Sequence, residues 1–284
     1  MKARDTYICM VAASALLLTC VCGAAAADKA AAVPSGFTSL FDGKTLKGWR
    51  GSESIWSVHD GAITGGSDQP IQSNTFLIYE RRYGNFELHY KYRMDGDGNS
   101  GFQFRSIVSD ESKYAVKGVQ ANVVPIDQAE RFGMLWEEGG RGELALLGHK
   151  MVISRENGKV AKNVLASTNS RELLFSKVRA YPEWNDVEVI AYGNHLVHAL
   201  NGYLVFDAVD NDPNARTEGI FALQAHSGPP MHVQFKDIVV KPLTSEPDLT
   251  GRFISNPGPP TPANPGPRVP RKGQAESKPS ARTP

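Results

Sequence analysis

The feature of this chain that most constrains its fold is a set of two-residue turns between short, alternating runs of apolar and polar residues. Asp60-Gly61 separates Trp56–His59 from Ala62–Thr64. An Asp-Gly pair tolerates the positive φ angles of a tight hairpin turn, so the two runs are predicted to form adjacent antiparallel strands. Short turns of this kind leave little room for helices between strands.

A second group of strands follows the same rule further along the chain. Three runs separated by Gly193-Asn194 and Asn201-Gly202 predict an antiparallel meander. The runs are Val187–Tyr192, His195–Leu200 and Tyr203–Asp207.

The segment Phe86–Met94 has the clearest strand pattern. Apolar residues alternate along it with charged or polar ones, which places the two kinds on opposite faces of a strand. Gly219–His226 and His232–Leu243 also have the pattern of strands, and no long amphipathic helix intervenes. We predict an all-β fold, an antiparallel two-sheet sandwich of jelly-roll type.

The N-terminal residues 1–27 have the pattern of a secretory signal peptide. Lys2 and Arg4 precede the apolar run Tyr7–Val21, and the small residues Ala24–Ala27 allow cleavage after residue 27. The run is shorter than the roughly 18 to 20 residues that a membrane span needs, which favours export over an anchor. An acylated lipoprotein is the other alternative. We predict a periplasmic or secreted protein in which residues 28–36 are a linker.

Cysteine use and charge exclude several classes of function. Cys9, Cys20 and Cys22 all lie in the predicted signal peptide, so the exported chain has no thiol for disulfides, thiolate metal sites or a cysteine nucleophile. The net charge is +1 and the body has no basic cluster, which argues against nucleic acid as a partner. We place a single domain at residues 37–243, a length typical of one β-sandwich.

Residues 244–284 are predicted to be a disordered, proline-rich basic tail. Few apolar residues are available there for burial, so ordering the segment would cost conformational entropy without compensation. Attachment to an anionic polymer of the cell envelope is the functional alternative. The cations that follow Leu249 are Arg252, Arg268, Arg271, Lys272, Lys278 and Arg282, against the single acid Glu276.

Six motifs occur in one order along the chain. They are Phe41–Trp49, Trp56–Gly61, Asn99–Ser106, Glu183–Asn185, Leu200–Gly202 and Gly219–Leu243. Together they resemble the 3-keto-disaccharide hydrolase domain family, also called DUF1080, over Phe37–Leu243. The resemblance implies a concanavalin A-like jelly roll, of the lectin or glucanase type, in an exported bacterial protein that acts on glycosides oxidised at C3.

The chain departs from many members of that family in its central segments. It has Val119-Gln120 where they carry Tyr-Gln, and Trp136-Glu137-Glu138 where they carry Tyr-Asp-Glu. The polar residues Gln120, Glu138 and Arg141 keep the matching types, while the aromatic surroundings differ.

The chemistry that this resemblance implies suits the residues present. A ketone at C3 of a hexose acidifies the C2 proton, so a side-chain base can remove it while the C3 oxygen gathers negative charge. The C1 substituent then leaves by elimination, and water added to the enone gives net hydrolysis. Such a site needs a base, an acid for the departing oxygen, and a cationic or hydrogen-bonding partner for the C3 oxygen. An upstream sugar 3-dehydrogenase would supply the substrate.

Strand periodicity suggests which side chains converge, because residues two apart share a face. With the resemblance, we expect three such polar pairs to line a sugar groove, although plain solvent exposure would give the same alternation. The pairs are Gln103 with Arg105, Gln120 with Asn122, and Gln224 with His226.

We predict that Glu138 and His226 transfer protons. The structural alternatives are a loop ion pair between Glu138 and Arg141 and an exposed strand end at His226. The residues predicted to position the substrate are Asn99, Arg105, Gln120, Arg141 and Gln224.

No metal site is assigned. His195 and His198 are three apart in a predicted strand, so they point to opposite faces and cannot clamp one ion. A calcium-like divalent cation could bind the acidic loop, although its spacing matches no EF-hand. The acidic residues of that loop are Asp207, Asp210, Asp212 and Glu218.

Two other functions stay open at the level of sequence. One is a non-catalytic carbohydrate-binding module of the cell envelope, since the same fold can bind a sugar without cleaving it. The other is a structural envelope protein that depends on its basic tail. The oligomeric state has no signature in the sequence.

Overall fold

The computed structural model of the protein describes residues 32–124 and 131–260, which form a sandwich of two β-sheets. Among these residues, the one α-helix is α1 (Arg171–Ser176), and Glu111–Lys113 form a single 3-10 turn. The strands are β1 (Thr38–Ser39), β2 (Trp49–Arg50), β3 (Trp56–His59), β4 (Ala62–Ser67), β5 (Thr75–Tyr83), β6 (Phe86–Gly96), β7 (Ser100–Asp110), β8 (Ala115–Val123), β9 (Leu135–Glu138), β10 (Gly142–Ala145), β11 (His149–Glu156), β12 (Lys159–Ser167), β13 (Asn185–Tyr192), β14 (His195–Leu200), β15 (Tyr203–Asp210), β16 (Gly219–Ala225) and β17 (Met231–Pro242).

The described strands form a large sheet and a small sheet. The large sheet has the order β12-β11-β15-β14-β13-β6-β17-β4-β3, with β1 paired to β17. The small sheet has the order β10-β9-β8-β7-β16-β5-β2. Neighbouring described strands are antiparallel except β11 and β15, which are parallel. The predicted all-β, two-sheet jelly roll is confirmed, and the parallel pair arises because the β11–β12 hairpin docks beside β15.

The core lies between the two sheets. Phe86, Leu88, Tyr90 and Tyr92 of β6 are all buried, which confirms the alternation predicted for this strand. The Tyr90 ring stacks on Phe102 of the small sheet, with centroids 4.7 Å apart. Each large apolar side chain buried in this way contributes roughly 1.5–3 kcal/mol of transfer free energy. Because one face of the small sheet is used for the core, its other face is available for a binding site.

The hairpin turns have the predicted geometry. Asp60 and Gly61 have φ angles of 50° and 73°, and Asn201 and Gly202 have φ angles of 49° and 82°. Positive φ at both central residues is the signature of a type I′ turn, whose twist matches that of the strands. The turn chemistry in the sequence therefore fixed the register of the β3–β4 and β14–β15 hairpins.

The helix α1 is a short connection between β12 and β13. Ser170 caps it, because its hydroxyl accepts a hydrogen bond from the backbone N–H of Leu173 at 3.2 Å. A search of the described residues for a helix long and apolar enough to span a bilayer finds none.

The domain extends beyond the predicted boundary at residue 243. Residues 249–258, called here the C-terminal strap, pack on the large sheet. The backbone N–H of Ile254 donates to the carbonyl of Gly202 at 2.9 Å, and the carbonyl of Ile254 accepts from the backbone N–H of Leu204 at 3.0 Å. The strap is held by backbone hydrogen bonds and has no apolar pattern, so the sequence gives no signal for it.

A partly buried ionic cluster anchors the strap. Glu87, His89 and Glu188 bring their polar atoms within 4.8 Å of one another. The guanidinium of Arg252 contacts all three side chains and offsets part of the negative charge of the two glutamates. Burial raises the pKa of Glu87, but hydrogen bonds from His89 and Arg252 lower it to about 2. Arg252 was assigned by sequence to a disordered tail, and the fold instead uses it as a fixed cation.

Three sequence predictions concern residues outside the described ranges. These are the signal peptide at residues 1–27, residues 28–31 of the linker predicted at 28–36, and residues 261–284 of the tail predicted at 244–284. They stay predictions.

Candidate functional site

A cavity of about 450 Å³ opens on the small sheet. This volume is in the range of small-molecule sites. Its lining residues are Asn74, Asn99, Gln120, Asn122, Arg131, Met134, Trp136, Glu138, Glu143, Leu146, Gln224 and His226. Five predicted site residues are therefore brought together, namely Glu138, His226, Asn99, Gln120 and Gln224.

Strand alternation explains why the cavity is polar. In β8, Val119 and Ala121 face the core, so Gln120 points to the opposite face. The same alternation in β9 places Leu135 in the core and Trp136 in the cavity. Because β8 and β9 are paired, with Gln120 opposite Trp136, their polar side chains lie side by side.

A cluster of side-chain amides forms the floor of the cavity. The amide of Gln120 lies 2.9 Å from that of Gln103, 2.7 Å from Asn122 and 3.1 Å from Gln224. Gln120 is on β8 and Gln224 on β16, so the Gln120 side chain must cross β7. It does so over Gly101, where a Cβ atom would overlap the Gln120 amide.

Two polar atoms of the cavity are buried without a hydrogen-bond partner in the described part of the chain. They are Oδ1 of Asn99, an acceptor, and Nε2 of Gln224, a donor. A buried polar group without a partner costs roughly 1–3 kcal/mol, so such groups mark positions where a ligand atom would be favourable. The pair fits a ligand that presents one hydroxyl and one oxygen acceptor.

The Glu138 carboxylate is held by two N–H donors. Trp136 donates from Nε1 to Oε2 at 3.1 Å, and Asn74 donates from Nδ2 to Oε1 at 3.1 Å. Both oxygens therefore have fixed directions, while their remaining lone pairs are free to meet a ligand or water.

His226 is oriented by its own chain. Its Nδ1 lies 2.5 Å from the carbonyl of Ser227, and its backbone N–H donates to the carbonyl of Asn99 at 3.3 Å. Since a carbonyl can only accept, Nδ1 carries the proton and Nε2 has the lone pair in the neutral ring. The imidazole is thus set up to exchange a proton at Nε2.

Arg105 does not line the cavity, contrary to the prediction. Its guanidinium donates from Nε and Nη2 to the carbonyl of Gly84, at 3.1 Å and 2.9 Å. The β7–β8 register shifts between Phe104 and Ile107, and Arg105 has a left-handed φ of 48°. This bulge breaks the two-residue alternation on which the prediction depended. Burial lowers the pKa of Arg105 to about 10.

Arg141 also lies outside the cavity lining, and it is a structural cation. It forms an ion pair with Glu137, rather than with Glu138 as in the structural alternative, and a bidentate ion pair with Asp210 at 2.9 Å and 2.7 Å. Burial alone would lower the pKa of Arg141, but hydrogen bonds with Asp210 and Glu137 raise it. Glu137 and not Glu138 is paired because β9 alternation sends the two side chains to opposite faces.

The acidic loop considered for calcium is occupied by side-chain cations. Asp210 and Asp212 contact Arg141, and Asp212 also pairs with Arg155 at 2.9 Å. The remaining two carboxylates are paired as well, Asp207 with His195 at 2.8 Å and Glu218 with Arg82 at 2.7 Å. A carboxylate already paired in this way is a poor calcium ligand, so these residues do not fit the cation suggested by sequence.

Sequence reasoning missed several residues of the cavity. Trp136 could have been found, because it lies two residues before Glu138 on the same strand face. Asn74, in contrast, belongs to a loop before β5, and no pattern connects it to Glu138 along the chain. Met134 and Leu146 form an apolar wall of the cavity, and in the sequence they cannot be distinguished from apolar residues of the core.

Comparisons with known proteins place the chain in a family. A family model described as a 3-keto-alpha-glucoside-1,2-lyase-like domain matches residues 36–241, a range that includes every residue lining the cavity. A 3-keto-disaccharide hydrolase from Bacteroides thetaiotaomicron is 24% identical over 254 residues, which are 73% of this chain and 79% of that protein. These matches confirm the family resemblance found in the motifs.

Solved structures are more distant. One, from Parabacteroides distasonis and provisionally named a glycosyl hydrolase, is 21% identical, with a TM-score of 0.48 over 73% of this chain and 94% of that one. The carbohydrate-binding module CBM66 from Bacillus subtilis is 19% identical, with a TM-score of 0.44 over 68% of this chain and 95% of that one.

Proposed function

We propose that this protein, which belongs to the family of 3-keto-α-glucoside-1,2-lyase-like domains, hydrolyses 3-keto-glycosides in the cavity of the small sheet. The family and the Bacteroides relative support a glycoside-acting hydrolase. The observation that supports 3-keto-glycosides as the substrate is that Glu138, His226 and Gln224 line one cavity although they are far apart in sequence. Two groups able to move protons and one free hydrogen-bond donor are what the reaction needs.

The two unpartnered amide atoms support a substrate that carries a carbonyl beside a hydroxyl. Gln224 Nε2 would donate to the C3 oxygen, and Asn99 Oδ1 would accept from a neighbouring hydroxyl. As charge develops on the C3 oxygen, the hydrogen bond from Gln224 strengthens, which lowers the barrier to enolate formation. Gln224 thus supplies the hydrogen-bonding partner that the reaction needs at the C3 oxygen.

In the proposed reaction His226 is the base. Its Nε2 removes the C2 proton, and the electron pair of that C–H bond forms the enolate. The enolate expels the C1 substituent, so the C1–O bond breaks and a C1–C2 double bond forms. Fixing Nδ1 on the Ser227 carbonyl keeps Nε2 unprotonated in the neutral ring.

Glu138 is proposed to bind the water that completes the reaction. That water gives a proton to the departing oxygen, and the resulting hydroxide adds to C1 of the enone. The protonated His226 then returns its proton to C2. Atoms balance as one glycoside plus one water giving one 3-keto sugar and one alcohol. The hydrogen bonds from Trp136 and Asn74 give the carboxylate a fixed direction for this task.

A non-catalytic carbohydrate-binding role is the second candidate. It is favoured by one observation, namely that Arg105 and Arg141 are both committed to structural contacts outside the cavity. The amide floor and Trp136 would bind a sugar in either case.

The test offers purified protein a 3-keto-disaccharide and the unoxidised parent sugar. We expect release of the leaving sugar from the oxidised substrate alone, and a loss of about 100-fold or more in kcat for His226→Ala and for Glu138→Gln. Binding of either sugar without release in the wild type would support the module instead. His232→Ala, an exposed histidine away from the cavity lining, is the matched control.

The proposed setting is the periplasm or the exterior of the cell. An oxidised glycoside must come from a dehydrogenase acting at C3 of the sugar, so we propose such an enzyme as the upstream partner. Cleavage after residue 27 is checked by N-terminal sequencing of the protein recovered from cell fractions, and an intact Met1 in the cytoplasmic fraction would contradict export.

A further inference from the structure

We infer that Asn74 is a positioning residue that holds Glu138 in place relative to His226 and so controls proton delivery to the leaving oxygen. This inference rests on the proposed function. Asn74 immediately precedes β5 and lines the cavity, yet no motif in the sequence marks it.

Asn74 joins the two proton-transfer groups through a single amide. Its Nδ2 donates to Glu138 Oε1 at 3.1 Å, and its Oδ1 accepts from the backbone N–H of Ser227 at 2.9 Å. Ser227 is also the residue whose carbonyl orients the His226 ring. The Asn74 amide therefore fixes the Glu138 carboxylate relative to the loop that carries His226, while the His226 ring itself is held by the carbonyl of Ser227.

The segment that carries Asn74 is itself anchored. Ile71 and Gly228 form an isolated antiparallel bridge, with N–H to carbonyl distances of 3.0 Å and 2.9 Å. The loop before β5 is thereby fixed to the loop after β16, independently of Glu138. Asn74 thus has a defined position from which to direct the carboxylate.

Trp136 supplies a comparison within the same site. It donates to the other oxygen of Glu138 but belongs to the same strand, two residues away. Trp136 can orient the carboxylate relative to β9, whereas only Asn74 among the described donors relates it to the His226 loop. The two donors are therefore expected to differ in effect.

The test separates positioning from structural support by using two leaving groups. A sugar alcohol needs a proton as it departs, whereas 4-nitrophenolate is a stable anion and does not. We expect Asn74→Ala to lower kcat about 10- to 100-fold on a 3-keto-disaccharide while KM changes less than about threefold. On 3-keto-4-nitrophenyl glucoside the same variant should keep kcat within about threefold.

Further variants keep this test decisive. Asn74→Asp retains an acceptor for Ser227 but lacks the donor to Glu138, so it should show the same dependence on leaving group even if Asn74→Ala does not fold. His226→Ala should lose activity on both substrates, and Gln72→Ala, an exposed neighbour outside the cavity, should lose none.

Equal losses on both substrates for the Asn74 variants, or no loss on either, would overturn the positioning role. A wild-type protein that cleaves neither substrate would instead overturn the proposed function. The two failures are thus distinguishable in one set of assays.

Discussion

Gly101 determines how far the Gln120 side chain reaches across the small sheet. Its φ angle is not in the left-handed region, so the backbone itself accepts alanine, and the obstacle is overlap with the Gln120 amide. We expect Gly101→Ala to displace Gln120 from Gln224 and to lower kcat/KM about 10-fold, mainly through KM. Kinetics of Gly101→Ala in the wild-type and Gln120→Ala backgrounds provide the check. Fully additive effects in the double variant would contradict this account.

His198 makes stability depend on pH. Burial lowers its pKa to about 4, although a hydrogen bond with the Gly133 carbonyl opposes the shift. The unfolded residue titrates near 6.5, so between these values the unfolded chain binds a proton that the native chain does not. The free energy of unfolding is therefore not reduced by His198 above about pH 6.5. It falls by up to about 3 kcal/mol as the pH drops towards 4.

The measurement for His198 is the free energy of unfolding in urea at pH 7 and at pH 4.5. His198→Gln cannot titrate, so it should lose less stability between the two pH values than the wild type does. The comparison cancels the contribution of acidic groups such as Glu87, whose pKa is lowered to about 2 by hydrogen bonds from His89 and Arg252. An identical loss in both proteins would show that His198 is not the source.

The β9–β10 hairpin, which carries one wall of the cavity, is tied to β15 through Arg141. Removing this buried cation takes away the ion-pair partner of Glu137 and Asp210, so Arg141→Ala should destabilise the protein by about 3–5 kcal/mol. Arg82→Ala breaks an exposed pair with Glu218 and should cost less than about 1 kcal/mol. Urea unfolding of both variants tests the contrast, and a small loss at Arg141 together with a large rise in KM would restore its role as a ligand.

The whole domain depends on the C-terminal strap. Truncation after residue 260 removes only the segment beyond the described contacts and should leave the thermal midpoint within about 2 °C of the full-length value. Truncation after residue 248 removes Arg252 and the backbone partners of Gly202 and Leu204, and should lower the midpoint by about 5 °C or more. Equal midpoints for the two truncations would show that the strap adds no stability.

The sequence predicted correctly those features of the fold that depend on neighbouring residues. The hairpin turns at Asp60-Gly61 and Asn201-Gly202 and the alternation in β6 were correctly predicted, since backbone preference and period are local properties. The pairs Gln120 with Asn122 and Gln224 with His226 reached the cavity because their strands are regular there. Arg105 did not, because a bulge that no sequence pattern announced reversed its direction.

The sequence by itself determined the strands, their two faces and the residue types available for chemistry, because turn propensity and burial act over a few neighbouring residues. Only the tertiary structure decided which polar groups meet. Glu138 lies beside Asn74, Arg141 forms an ion pair with Asp210 outside the cavity, and Arg252 packs on the large sheet beside Glu188. These pairings join residues of separate segments whose approach depends on sheet order and register, which the completed fold fixes.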